Sequence, residues 1–168
     1  MDKKEKGYIS VVIQDEFIKH LLAWSEAAIP KEVILQQEID GKLEGGNVLS
    51  EAHLTLFFGL DDQLANKNKI REFVDSIDLK ELRIDGIKVF HMPQMKCKIL
   101  YFSVEDKGGS LRSASNKFLE LPHFKEDQKP FVPHITIAYV KDSFNESSIS
   151  YDGPVIFPVK SVEYIKHN

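Results

Sequence analysis

Two stretches of this chain carry the same four-residue pattern, His53-Leu54-Thr55-Leu56 and His134-Ile135-Thr136-Ile137. Alternating polar and aliphatic residues have the period of a strand, so His and Thr share one face and the aliphatics share the other. Within each motif the two polar Cα atoms lie about 6–7 Å apart along the strand. The chain has only two threonines, and each follows a histidine by two residues. A fold that suits this pattern buries Leu54, Leu56, Ile135 and Ile137 and leaves the His–Thr faces open to a shared surface.

The bulk properties narrow the class. With 168 residues, 42% hydrophobic and 29% charged, the chain reads as one domain spanning 1–168. A net charge of −4 argues against nonspecific binding to duplex DNA, which needs a basic surface, but leaves room for a nucleotide at a locally basic site. The single cysteine, Cys97, allows no internal disulfide, fits a reducing compartment and reads as a passive core residue. No apolar run approaches the roughly 20 residues of a membrane span. Tyr8–Ile13 is too short for the core of a signal peptide, so a cytoplasmic protein is expected.

In chain order, Tyr8–Ile13 predicts a first strand. Asp15 caps a helix with the stripe Phe17, Ile18, Leu21, Leu22, Ser25 and Ala28, stopped by Pro30. Residues 31–50 hold turn signals at Asp40-Gly41 and Gly45-Gly46-Asn47, which predicts a loop or small hairpin that either covers the site or is a surface insertion. The first motif strand ends at Gly59, and Asp61 or Asp62 caps a helix with Ile70, Phe73, Val74 and Ile77 on its apolar face. Strands follow at Leu82–Phe90 and Ile99–Val104, then a helix with Leu111, Ala114, Phe118 and Leu119 that ends at Leu121-Pro122. Phe131–Val140 carries the second motif, and Val155–Ile165 closes the chain with Pro158 at an edge or bulge. His20, His91 and His123 read as surface residues. Helix, loop and motif strand recur about half the chain apart. This predicts an α+β fold of two duplicated, bilobal units, with antiparallel sheets lining a central cleft and helices on the outer faces.

Two imidazoles and two hydroxyls converging on one cleft suit acid–base chemistry at phosphorus. A neutral histidine takes a proton from the attacking oxygen, and a protonated one gives a proton to the leaving oxygen. Threonine hydroxyls hold the non-bridging phosphoryl oxygens. No His-Glu-x-x-His cluster, Gly-x-Ser-x-Gly elbow or Gly-x-x-x-x-Gly-Lys loop is present. Two histidines joined by distant carboxylates at a metal, and a module that binds a nucleotide without cleaving it, stay open as alternatives.

The paired His-x-Thr strands, Gly59 after the first and Pro130-Phe131-Val132-Pro133 before the second resemble the 2H phosphoesterases, which include the RNA ligase/cyclic phosphodiesterase-like enzymes. The resemblance implies a bilobal fold and cleavage of 2′,3′-cyclic phosphates or 2′-5′-linked nucleotides without metal or other cofactor. It makes His53 and His134 the catalytic pair, with acid and base unassigned, and Thr55 and Thr136 the phosphate ligands. The long loop before the first motif, with Gly45-Gly46 and then Glu51-Ala52-His53 leading to Phe58-Gly59-Leu60, is similar to phage-encoded members. Some of those degrade cyclic oligonucleotide immune signals in the host cytoplasm by 2′-hydroxyl attack. Tyr8 and Phe57, which shares strand parity with His53 and Thr55, are candidates for stacking on a base. Glu163, with Lys96 and Lys98, is a candidate accessory group. The expected partner is a nucleotide or short oligonucleotide, with no membrane, and no dimerisation element is recognisable.

Overall fold

Burial decides the orientation of each motif strand. Leu54, Leu56, Ile135 and Ile137 are each 0–1% exposed, and burying such a side chain stabilises by about 1.5–3 kcal/mol. A one-residue slip would expose all four and force the polar pairs inward. In the computed structural model, which describes residues 5–39 and 41–167, the strands stand in the register that avoids this.

The elements are β1 (Lys6–Ile13), α1 (Asp15–Ala28), β2 (Gln36–Ile39), β3 (Lys42–Gly45), β4 (His53–Asp61), α2 (Lys67–Asp75), β5 (Glu81–Met92), β6 (Cys97–Val104), α3 (Ser110–Lys117), β7 (His134–Lys141) and β8 (Ile156–His167). Two antiparallel three-stranded units emerge, β8-β1-β4 and β5-β6-β7, each with a motif strand at one edge. Each holds one motif strand, in keeping with the predicted duplication, but the first unit is completed by β8 from the far end of the chain. The units join into one hydrogen-bonded ring. Its seams are narrow: β4 meets β7 at Leu54↔Ile135, and β5 meets β8 over Glu81–Arg83. The apolar faces share one core cluster, to which α1 contributes Ile18 and Leu21, α2 Ile70 and α3 Leu111.

Several boundaries differ from the sequence reading. The residue before α1 is Gln14, and Asp15 pairs with Lys160 from within the first turn instead of capping. Asn66 caps α2 by accepting from the Asn68 and Lys69 backbone N–H groups, while Asp61 holds a turn through Gln63 N–H. β5 runs past the expected end at Phe90, so His91 lies within the strand, opposite Lys98. Segment 31–50 forms the β2–β3 hairpin, and its flanks run along β7, with Leu35 N–H donating to Tyr139 O at 2.9 Å and Val48 N–H to Ile137 O at 2.9 Å. Asp40 of the expected Asp40-Gly41 turn lies outside the described residues.

Both motif strands are bent at the same place. On β4, Ser10 pairs with Thr55 but Ile9 pairs with Phe57, so Leu56 is an unpaired bulge. On β7, Tyr101 pairs with Thr136 but Leu100 pairs with Ala138, so Ile137 is the counterpart. The extra residue swaps faces beyond it. The bulges are why Leu56-Phe57 and Ile137-Ala138 are buried as consecutive pairs.

Candidate active site

The Leu54↔Ile135 pairing sets the site. Antiparallel strands in that register bring His53 opposite Thr136 and Thr55 opposite His134, all four on the face away from the core. All four are half-buried. The sequence places each pair on one strand; only the seam between the halves brings the pairs together.

Each imidazole is pinned by the residue two before it, in the turn or loop that leads into its strand. His53 Nδ1 lies 2.8 Å from Glu51 O, and His134 Nδ1 lies 2.7 Å from Val132 O. A carbonyl only accepts, so Nδ1 carries the hydrogen and donates in both rings. The neutral ring therefore presents a lone pair at Nε2, and the charged ring presents an N–H there. His123 makes the same contact with Leu121 O at 2.7 Å, yet it packs edge-on to the buried Phe57. The contact alone is thus no mark of a site; convergence is.

The environments of the two histidines differ. Phe90 and Tyr101, stacked at 4.2 Å, meet His134 edge-on at 5.1 and 5.4 Å. Burial lowers the His134 pKa from the ordinary imidazole value; the Val132 carbonyl opposes the shift, and the charge of His53 adds to it. His53 has Tyr8 beside it at 6.3 Å, and Phe58 lies 6.2 Å beyond Tyr8. Burial, then the charge of Glu51, raises the Tyr8 pKa, which keeps the phenol neutral.

The accessory candidates fare unevenly. Tyr8, the candidate for stacking on a base, stands beside His53. Phe57 does not face the cleft: it is 4% exposed and packs on Phe118 at 5.8 Å, because the Leu56 bulge hands its parity to Phe58. Glu163 is exposed at the rim, where Ser161 Oγ donates to it at 2.6 Å. It pairs with Ser10, which pairs with Thr55. It is therefore two strands from Thr55, about 10 Å. Lys98 is held by Glu146 at 2.9 Å, and Lys96 sits in the β5–β6 turn. The Cys97 thiol is buried and its pKa is raised, as befits a core residue. Phe58, Phe90 and Tyr101 escape sequence reasoning because their parity depends on bulges and cross-strand register. Among the described residues, no group of three or more His, Cys, Asp or Glu is arranged to hold a metal ion, and no helix is long and apolar enough to cross a membrane.

A sequence profile described as the 2′-5′ RNA ligase superfamily matches residues 38–151, which span both motifs. The chain belongs to this superfamily. The resemblance of the motifs to the 2H phosphoesterases is thereby upheld, and membership supports phosphoesterase activity. The chain is similar in fold to E. coli LigT complexed with ATP, at 13% identity over 99% of this chain and 96% of that one, with a TM-score of 0.55. LigT complexed with phosphate gives 13% identity, the same coverage and 0.54. Its apo form gives 14% identity, the same coverage again and 0.52. Comparison with curated protein sequences gives no match.

Proposed function

We propose that this superfamily member is a metal-independent phosphodiesterase that cleaves nucleotide phosphodiesters, of the 2′,3′-cyclic or 2′-5′-linked kind, with His53 and His134 as its acid–base pair. The observation that carries the reading is the Leu54↔Ile135 seam, which sets two His–Thr pairs on one open face. In this mechanism neutral His134 takes the proton from the attacking water or ribose hydroxyl through Nε2. As the new P–O bond forms and the old one breaks, His53 gives its Nε2 proton to the leaving oxygen. The surroundings support this assignment, since burial among Phe90 and Tyr101 disfavours a charge on His134. Thr55 and Thr136 donate to the non-bridging oxygens, where charge must be held as the bonds shift.

The test is a panel of 2′,3′-cyclic mononucleotides, 2′-5′-linked dimers and cyclic di- and trinucleotides, incubated with EDTA and resolved by chromatography. Turnover that persists in EDTA is expected, with losses of about 10²–10⁴-fold in His53→Ala and in His134→Ala. EDTA-sensitive turnover would put a metal at the site instead. A dimer with a bridging sulfur as leaving atom separates the two roles, because sulfur leaves without a proton. It should restore most of the rate to His53→Ala and little to His134→Ala. Binding with no turnover of any member would make the domain a nucleotide-binding module. Opening of the cyclic oligonucleotides alone would favour the phage-type activity on immune signals.

A further inference from the structure

The two motif strands are not equivalent at their outer edges. Beyond the seam, the β7 edge is sealed by the flanks of the β2–β3 hairpin: Leu35 N–H donates to Tyr139 O, Tyr139 N–H to Gly46 O at 3.0 Å, and Val48 N–H to Ile137 O. The matching edge of β4 is left open. The 122–128 segment reaches it only farther along, where Phe124 N–H donates to Gly59 O at 2.8 Å and the Gln128 amide to Phe58 O at 3.0 Å. Among the described residues, no backbone hydrogen bond joins β4 to residues 128–133. The gap is a cavity of about 380 Å³ that begins at Thr55 and His134 and runs past Phe58 to Arg112, Asn116 and Lys129. A volume of this order is that of a small-molecule site.

Its charge is the second observation. Arg112 and Lys129 are exposed, and among the described residues neither makes an ion pair. The carboxylate in the lining, Asp127, is already neutralised by Lys6 at 2.9 Å. On a chain of net charge −4 this leaves two uncompensated cations beside the catalytic face. The phosphate held by the two threonines has its own donors, so these cations are spare for a further anion.

The geometry points to a second subsite here, which takes the nucleotide next to the scissile bond with its own phosphate on Arg112 and Lys129. This rests on the phosphodiesterase reading and sharpens it. The favoured substrate is a nucleotide chain with at least two phosphates, linear or cyclic, in preference to a 2′,3′-cyclic mononucleotide.

The test measures kcat/KM for a 2′-5′-linked diadenylate with and without a terminal phosphate, placed at the 5′ or the 3′ end, and for a cyclic dinucleotide. Wild-type protein should prefer a phosphate-bearing form over the bare dimer by about tenfold or more. The Arg112→Gln/Lys129→Gln double variant should bring that ratio toward one. Lys19→Gln, which removes a solvated cation on α1, should leave the ratio in place. A wild-type ratio near one, or a ratio that the double variant keeps, would overturn the subsite. Calorimetric binding of the same ligands to His53→Ala protein separates the two readings. Phosphate-dependent affinity that the double variant removes, with no cleavage by wild type, would uphold the subsite and sink the phosphodiesterase.

Discussion

At the scale of single residues, the two histidines share a hydrogen bond and differ in what surrounds them. Both donate from Nδ1 to a carbonyl two residues back, so ring orientation is set locally by the segment leading into each strand. Proton affinity is set by neighbours from other strands. Burial against Phe90 on β5 and Tyr101 on β6 keeps His134 below the ordinary imidazole pKa near 6.5. In the proposed mechanism His134 is the base and must be neutral to act, so it would stay competent as the pH falls through the range where a solvated histidine takes up a proton. The acidic limb of kcat/KM should therefore lie below pH ~6.5. Phe90→Ala admits water to the ring, weakens the largest cause of the shift and should move that limb upward. A pH–rate profile that does not move would mean Phe90 is not what desolvates His134. The motif residues were legible in the sequence because their alternation is local. Phe90 and Tyr101 were not, because a cross-strand neighbour is defined only by pairing.

At the scale of elements, the bulges at Leu56 and Ile137 make the motif strands more than alternating ribbons. Each turns two consecutive apolar residues inward and carries the next aromatic, Phe58 or Tyr139, to the half-buried side. The expectation for Phe57 failed at this step, since strict period two holds only while the ladder is unbroken. Gly59, three residues past the first bulge, has φ +100°, and a Cβ there would meet Asp127 Cβ at 2.8 Å and Asp127 Oδ2 at 3.0 Å. Glycine both supplies the backbone conformation and lets the 122–128 segment close on β4. Gly59→Ala should therefore destabilise by about 1–3 kcal/mol, read as a lower urea midpoint at unchanged slope. It should also weaken the phosphate preference, because the same segment leads into the cavity wall. Full stability in this variant would show that the segment can shift to make room.

At the scale of the whole molecule, the halves meet through narrow seams in the sheet but share one core. Phe102 on β6 is 0% exposed, and its ring meets Trp24 of α1 at 5.4 Å and Phe157 of β8 at 5.3 Å, so one side chain ties both units. Phe102→Ala should cost about 3–5 kcal/mol. Trp24 fluorescence and far-ultraviolet circular dichroism should still report one coincident unfolding transition. Separate transitions would mean that the units fold on their own. The sequence by itself determined the strand alternation of both motifs, the helix stripes, the duplicated α+β order and the pair of His–Thr motifs, since each is written in local periodicity. Tertiary structure alone decided that Leu54 meets Ile135, that Phe90 and Tyr101 close on His134 while Tyr8 stands beside His53, and that one motif edge is sealed while the other opens into a basic cavity. These depend on which strands become neighbours and where a ladder slips. That choice is made by the sum of many burial terms across the whole chain, so no short stretch of residues records it.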